Sequence, residues 1–339
     1  MKKSKFIFLI VGIIILLVLF RTFQKETIEY IKKLGLEFWI WQFWLIVMIF
    51  FFNHIFLTYG WRVLINKPMK KPYFLKLVLA RIAGDSTSAI NSLGAVAGEP
   101  LKALFIKELL PFKSGLASVV LDRTIHTIAN LLLILTGIII SLFILNIPVY
   151  VTLLTLLLFL VILFLMCAVL VKQRDGFVEF FINKIPGGLR NRFLNESRIN
   201  KIRTLDEEIG FIFSSRENLR HFYVSLTVHY VSVLISGFLE IFLIIKFIGI
   251  DISVSHGLFV YIFGLFLTSA IFFMPANLGT SEGSYSLALK LLGYDPALGL
   301  SVGIIRRLRS FVWSAIGMCI LLYAGLLKKE VDYEQREDI

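Results

Sequence analysis

The sequence predicts an all-α polytopic membrane protein: about six full transmembrane helices plus two re-entrant helical hairpins in an inverted-topology repeat. Three observations predict it. The 339-residue chain is 58% hydrophobic and 17% charged, with a mean hydropathy of +0.83, where a soluble domain is roughly 45–50% apolar. Two apolar stretches, 76–112 and 256–293, are each interrupted midway by glycine, proline and small polar residues. An acid–base pattern also recurs at a fixed offset. Moving Glu99, Lys107 and Arg123 along by 183 residues lands on Glu282, Lys290 and Arg306.

The elements follow in order. Lys2-Lys3-Ser4-Lys5 precedes an apolar run from Phe6 to Phe20. Extended to Phe23, that run approaches the ~17–25 residues a span needs, so it reads as a first transmembrane helix with its N-terminus inside. A secretory signal is the competing reading, but Arg21 and Lys25 stand where a small-residue cleavage motif belongs. Residues 21–38 then form an outside loop, although Arg21, Lys25, Lys32 and Lys33 run against the positive-inside rule there. The span 38–65 carries Trp39, Trp41, Trp44 and Trp61, the residue type that sits at membrane interfaces. Lys67, Lys70, Lys71 and Lys76 follow without an acid and face the cytoplasm. Spans 114–145 and 149–171 are joined by an outside turn, Asn146-Ile147-Pro148.

Residues 172–220 hold ten Lys/Arg and seven Asp/Glu and lie inside. Phe177, Phe180, Phe181 and Ile185, then Ile202, Leu205, Ile209 and Phe213, recur there at helical spacing and predict interfacial amphipathic helices. Residues 222–248 span outward, 297–327 span back, and the acidic tail 330–339 ends inside. The units are therefore 1–38, repeat 1 at 39–146, a connector at 147–221, repeat 2 at 222–329, and the tail. The formal charge of +12 resides mostly in loops; cytoplasmic topology and anionic lipid explain it better than nucleic acid. Cys167 and Cys319 lie in apolar runs and behave as small apolar residues.

The first hairpin contains Arg81, Asp85, Ser86, Thr87, Ser88, Asn91 and Ser92, then Gly94 to Gly98, Glu99 and Pro100. The second contains Met274-Pro275-Ala276-Asn277-Leu278-Gly279-Thr280-Ser281-Glu282-Gly283. Non-helical backbone at membrane depth survives only when buried in protein or lining a wet cavity. Entering from opposite sides, the hairpins give the two units opposite orientations. Over 99–123 against 282–306, seven of 25 positions are identical.

Ionisable groups in such segments cost about 2.5–3.5 kcal/mol each on insertion scales and are seldom idle. Gly98 before Glu99-Pro100 predicts a carboxylate at a helix start, and Thr280 or Ser281 caps the helix that carries Glu282. Two readings stand. The glutamates pair with Arg123 and Arg306 to hold the fold, or these groups line a polar cavity. There arginine's fork takes an anionic headgroup, and a glutamate meets an ammonium or carries a coupling proton. Arg306 and Arg309 share a helix face, whereas Arg307 points elsewhere. Asp122 is adjacent to Arg123 and so faces away from it. Asp85 is placed to pair with Arg81 at i, i+4, and Asn91 lies in the same hairpin. Glu240, alone inside 222–248, is either a buried partner of an arginine or a second coupling carboxylate. His54, His126 and His229 match no metal spacing and read as core histidines. The candidate transport residues are Glu99, Arg123, Glu282, Arg306, Asn277, Gly279, Pro275, Asp85, Asn91, Arg309 and Glu240. No catalytic residue, metal ligand or cofactor is expected.

The stretch NSLGAVAGEPLKALFIKE followed by ASVVLDR, and MPANLGTSEGSYSLALKLLG followed by GIIRR, resemble the two signatures of the lysylphosphatidylglycerol synthetase membrane-region family, the flippase-like integral membrane proteins. The resemblance covers about residues 5–328. It implies a polytopic protein that moves a lipid or lipid-linked molecule between leaflets, with Glu99, Arg123, Pro275, Gly279, Glu282 and Arg306 inheriting the polar-cavity role. The chain departs from the first motif by reading Ser92-Leu93-Gly94 where the family usually has a proline before Gly-Glu. The soluble aminoacyl-transferase domain of full-length synthetases has no room after the last span, so lipid aminoacylation is not expected.

The function expected is a flippase working by alternating access on an anionic phospholipid or polyprenyl-phosphate-type lipid. A secondary transporter of a small soluble anion and a membrane-embedded lipid-modifying enzyme are the alternatives; the absence of a metal cluster or Ser–His–Asp set weighs against the enzyme. The partners implied are the lipid substrate, a coupling proton or ion, and a second copy of the chain as an open option, with no nucleic acid. The expected location is the cell membrane, with both termini cytoplasmic.

Overall fold

The computed structural model describes residues 17, 21–65, 73–90, 95–143, 149–174, 216–271, 274 and 277–325. Outside them lie most of the first span, the Lys67–Lys71 loop, Asn91, the Asn146–Pro148 turn, both amphipathic stretches expected within 172–220, Pro275, and the acidic tail. Among the described residues every regular element is helical. The elements are α1 (Gln24–Lys33), α2 (Phe43–Leu64), α3 (Tyr73–Ile90), α4 (Ala95–Phe105), α5 (Phe112–Phe143), α6 (Val149–Arg174), α7 (Arg216–Phe247), α8 (Val254–Ala270), α9 (Thr280–Leu291) and α10 (Pro296–Tyr323).

The expected outside loop at 21–38 is instead helical. α1 runs into the short turn Gly35–Glu37 and a π-helical turn, Phe38–Gln42, that leads directly into α2. The reason is tertiary. α1 packs on α10, Thr27 is fully buried, and Tyr30 Oη donates to Asp295 Oδ2 at 2.8 Å.

By length and composition, Gly35–Leu64, Phe112–Ser141 and Asn218–Phe247 are long and apolar enough to cross a membrane. α6 and α10, at 26 and 28 residues, are also long, and α10 carries Arg306, Arg307 and Arg309. α4 and α9 have only 11 and 12 residues. At 1.5 Å per residue they reach about 16–18 Å, short of the ~30 Å hydrocarbon core. Sequence-local chemistry sets the ends. Asp295 Oδ1 accepts Ala297 N at 2.9 Å with Pro296 in the first turn, and Gly293, at φ +81°, closes α9 in the left-handed conformation that favours glycine.

The helix pairings fall into matched sets. α3 packs on α4 as α8 packs on α9; α4 on α5 as α9 on α10; α2 on α3 as α7 on α8; α3 on α10 as α8 on α5; and α2 on α10 as α7 on α5. α2 and α7 pack on each other. Each pair maps to its mate under the same 183-residue offset. Two apolar cores accompany them. One gathers Phe38, Ile46, Ile241, Phe259, Leu289 and Val302; the other gathers Trp61, Leu77, Ala103, Ile106 and Val119. Exposed Trp39, Trp41, Trp44, Phe52 and Phe56 on one side, and Leu153, Leu154, Leu157 and Phe164 on α6, form apolar outer faces, as lipid contact requires.

Candidate functional site

Two ion-pair clusters are built into these apolar helices. The first joins α2, α3, α4, α5 and α7. Arg81 Nη2 donates to both carboxylate oxygens of Asp122 at 2.7 Å and to the Leu57 carbonyl at 3.0 Å. Its guanidinium lies 5.6 Å from the Trp61 ring centroid, and Trp61 Nε1 donates to Ser118 Oγ at 3.1 Å. His229, with no exposed surface, places Nε2 3.1 Å from Asp122 Oδ1 and Nδ1 2.9 Å from the Ser225 carbonyl. Between α3 and α4, Lys102 Nζ lies 2.8 Å from Asp85 and 3.4 Å from Glu99, while His54 Nδ1 on α2 is 3.7 Å from Asp85. A buried charge is tolerable only with such partners.

The second cluster joins α7, α9 and α10. Glu240 is fully buried. Arg306 Nε donates to its Oε2 at 2.7 Å, and Arg309 Nε lies 2.7 Å from its Oε1. The Arg306 guanidinium lies 4.8 Å from the Tyr285 ring centroid and that of Arg309 3.4 Å from that of Phe50, contacts that hold a cation against an aromatic face. Glu282, also without exposed surface, accepts Arg307 Nε at 2.6 Å. Arg307 Nη2 further donates to Ser281 Oγ at 3.3 Å and to the Asn277 carbonyl at 3.4 Å. The break ahead of α9 needs Asn277 at φ +50° and Gly279 at φ +74°. Gly303 gives Glu282 its room, because a Cβ there would stand 2.8 Å from Glu282 Cγ.

A buried polar seam connects the clusters. Along α7, Ser225, His229, Ser232, Ser236 and Glu240 recur on one face and are all buried. Ser232 Oγ donates to Asn53 on α2 at 2.7 Å. α2 supplies the matching stripe: Phe50 meets Arg309, His54 meets Asp85, Leu57 offers its carbonyl to Arg81, and Trp61 lies beside that guanidinium.

Several expected local partners differ. Asp85 meets Lys102, not Arg81, because Arg81 turns across to Asp122. Glu282 meets Arg307, and Arg306 joins Arg309 on Glu240. Arg123 is exposed and makes no ion pair with Glu99 among the described residues. Glu99 stands in the second turn of α4, with Pro100 inside the helix, rather than at its start. Gly279, not Thr280 or Ser281, occupies the N-cap of α9; among the described residues Thr280 Oγ1 is buried without a partner, and Ser281 Oγ donates to Glu282 Oε2 at 2.9 Å. Asn277 is exposed and contributes its carbonyl, Gly279 is buried, and Asn91 and Pro275 lie outside the described residues.

Arg81, Lys102, Asp122, His54, His229 and Arg307 are cluster members outside the candidate transport residues expected from the sequence. Their signals were nonetheless present. Lys102 is three residues from Glu99 on one helix face, and the α7 stripe recurs at helical spacing in an otherwise apolar run.

Long apolar helices that bury charged residues only in partnered clusters define a polytopic membrane protein. The chain belongs to the family described as the lysylphosphatidylglycerol synthase TM region, whose model matches residues 6–317. That membership ties it to membrane lipids. No curated protein and no solved structure matches the chain.

Proposed function

We propose that the protein is a lipid flippase, moving an anionic phospholipid or polyprenyl-phosphate-type lipid between leaflets by alternating access. One observation carries the reading. Arg306, Arg307 and Arg309 crowd one turn of α10 against two carboxylates, Glu240 and Glu282, with the arginine side chains still 13–19% exposed. Among the described residues that cluster has one guanidinium charge more than its acids neutralise, which suits an entering phosphate through bidentate hydrogen bonds. Moving an unpartnered phosphate through hydrocarbon is otherwise prohibitive.

The architecture supports the same reading. α4 and α9 are too short to span alone, so α3–α4 and α8–α9 are read as re-entrant hairpins. The matched helix pairings are read as an inverted repeat whose halves rock about the α2–α7 seam, and a site near the midplane between repeats is the usual consequence of that design. A shallow, mostly apolar groove lined by Ile134, Ile138, Val151, Phe259, Phe263 and Phe266, with Ser141 and Thr155 at its wall, lies between α5, α6 and α8. No chemical step is assigned to the protein, and the cell membrane, with both termini cytoplasmic, is the proposed location.

The test is a leaflet-accessibility assay in liposomes holding the purified full chain, with labelled phospholipids and polyprenyl phosphates. The protein is expected to accelerate exchange, and Arg306→Gln and Arg123→Gln to abolish or slow it. Equal exchange with and without protein for every lipid overturns the reading.

A further inference from the structure

The first cluster divides into a satisfied half and an unsatisfied half. Asp122 is saturated, taking Arg81 on both oxygens and His229 on one. On the hairpin, two carboxylates share a single ammonium: Asp85 and Glu99 both face Lys102, and Glu99 is held only at 3.4 Å. Among the described residues, Glu99 Oε2 and His54 Nδ1 are buried without a hydrogen-bond partner, while Glu99 Oε1 accepts Lys102 Nζ at 3.4 Å. His54 is 8% and Glu99 9% exposed. Buried polar atoms of charged groups are seldom left so, since each costs the desolvation of the group. Asp85, with 36% of its side chain exposed, gives this pocket an opening that the Arg81–Asp122 pair, at 4% each, lacks.

We propose that Glu99, Asp85 and His54 form a proton-binding site whose occupancy is coupled to headgroup movement. The coupling rests on the flippase reading above. The charged groups acting on the site are Arg81 on α3, Lys102 on α4, Asp122 and Arg123 on α5, and Arg309 on α10, with His229 on α7 facing Asp122. One proton on a Glu99 or Asp85 carboxylate leaves Lys102 with one charged partner. One on His54 supplies an N–H toward Asp85. Either relieves the shared-cation deficit. The site also touches the arginine cluster physically. The His54 ring lies edge-on to Trp313 at 4.8 Å, one helical turn from Arg309, and Phe50, one turn before His54, lies under the Arg309 guanidinium. A proton in the carboxylate-rich pocket and an anion in the arginine-rich one then travel as a neutral pair, which lowers the charge cost of crossing hydrocarbon.

Two measurements on the full chain test this. The infrared difference spectrum of purified protein between alkaline and mildly acidic buffer, with no added lipid, is expected to show a protonated carboxyl band that is lost in Glu99→Gln and restored in Glu99→Asp, with its midpoint shifted in His54→Gln. In liposomes enclosing a pH dye and bearing labelled phosphatidylglycerol, lipid movement is expected to bring protons inside and to follow pH, with a flat pH profile in Glu99→Gln. His54→Gln carries the test should Glu99→Gln fail to fold. An identical band in wild type and both variants overturns the proton site, as does lipid movement that follows sodium rather than pH. Lipid movement without proton entry overturns the coupling and leaves the flippase reading. A proton band with no lipid movement overturns the flippase reading and the coupling together.

Discussion

Arg307 on α10 donates its Nε to Glu282 on α9 at 2.6 Å, and the carboxylate has no exposed surface. Removing one member of such a pair strands the other in a low-dielectric interior, which typically destabilises by about 3–5 kcal/mol. Arg307→Gln and Glu282→Gln are each expected to lower the unfolding free energy of detergent-purified protein by an amount in that range. The double replacement recovers part of the loss, because no uncompensated charge remains. Additive losses in the double variant would show that the pair is not coupled.

The helices were legible in the sequence because apolar runs and breaks of glycine and proline are local signals. A helix long and apolar enough to cross a membrane, Gly35–Leu64, covers the span expected at 38–65, and the break around Gly279 appears. The partners of the charged residues were only partly legible. A shared face put Arg306 with Arg309, and Glu240 was a candidate partner, because i, i+3 geometry belongs to one helix. Whether Glu282 meets Arg306 or Arg307 depends on how α9 rolls against α10, and that roll is set by the close approach at Gly303. Likewise Asp85 and Arg81 satisfied the i, i+4 rule, yet each found a better-placed partner on another helix. The loop expected at 21–38 folds because α10 covers it, a contact about 265 residues away that no local window contains.

Asp122 is expected to be the least replaceable acid of the first cluster. Asp122→Asn removes the carboxylate that Arg81 contacts among the described residues and disturbs the His229 contact to α7. A destabilisation of about 3–5 kcal/mol follows for a broken buried pair. Replacing both Arg81 and Asp122 with apolar residues of similar size is expected to cost much less, as measured by equilibrium unfolding in detergent. Similar losses for the single and double variants would contradict this.

At Gly317 α3 and α10 approach closely. A Cβ there would stand 1.8 Å from Ser86 Oγ and 2.6 Å from the Ile82 carbonyl. Gly317→Ala therefore forces the helices apart, with an overpacking cost of about 1–3 kcal/mol. Ser86→Gly is expected to rescue it only in part, because the backbone carbonyl of Ile82 remains in the way. Full rescue, or no loss in the single variant, would place the interface elsewhere.

Tyr30 gives a pH-dependent handle on the α1–α10 contact. Burial first, and then the Asp295 carboxylate that accepts its hydrogen bond, push the phenol up from 10.0 to about 12. Folding thus favours the neutral phenol. The contribution is complete below the unfolded value of 10.0 and is lost as pH rises through about 12. Ionising Tyr30 also sets a phenolate against Asp295, whose other oxygen caps α10. The difference in phenolate absorbance between wild type and Tyr30→Phe is expected to titrate later than a solvent-exposed tyrosine. The wild type is also expected to lose stability faster than the variant across that alkaline interval. A Tyr30 component that titrates with the exposed tyrosines would show that α1 does not hold its place on α10.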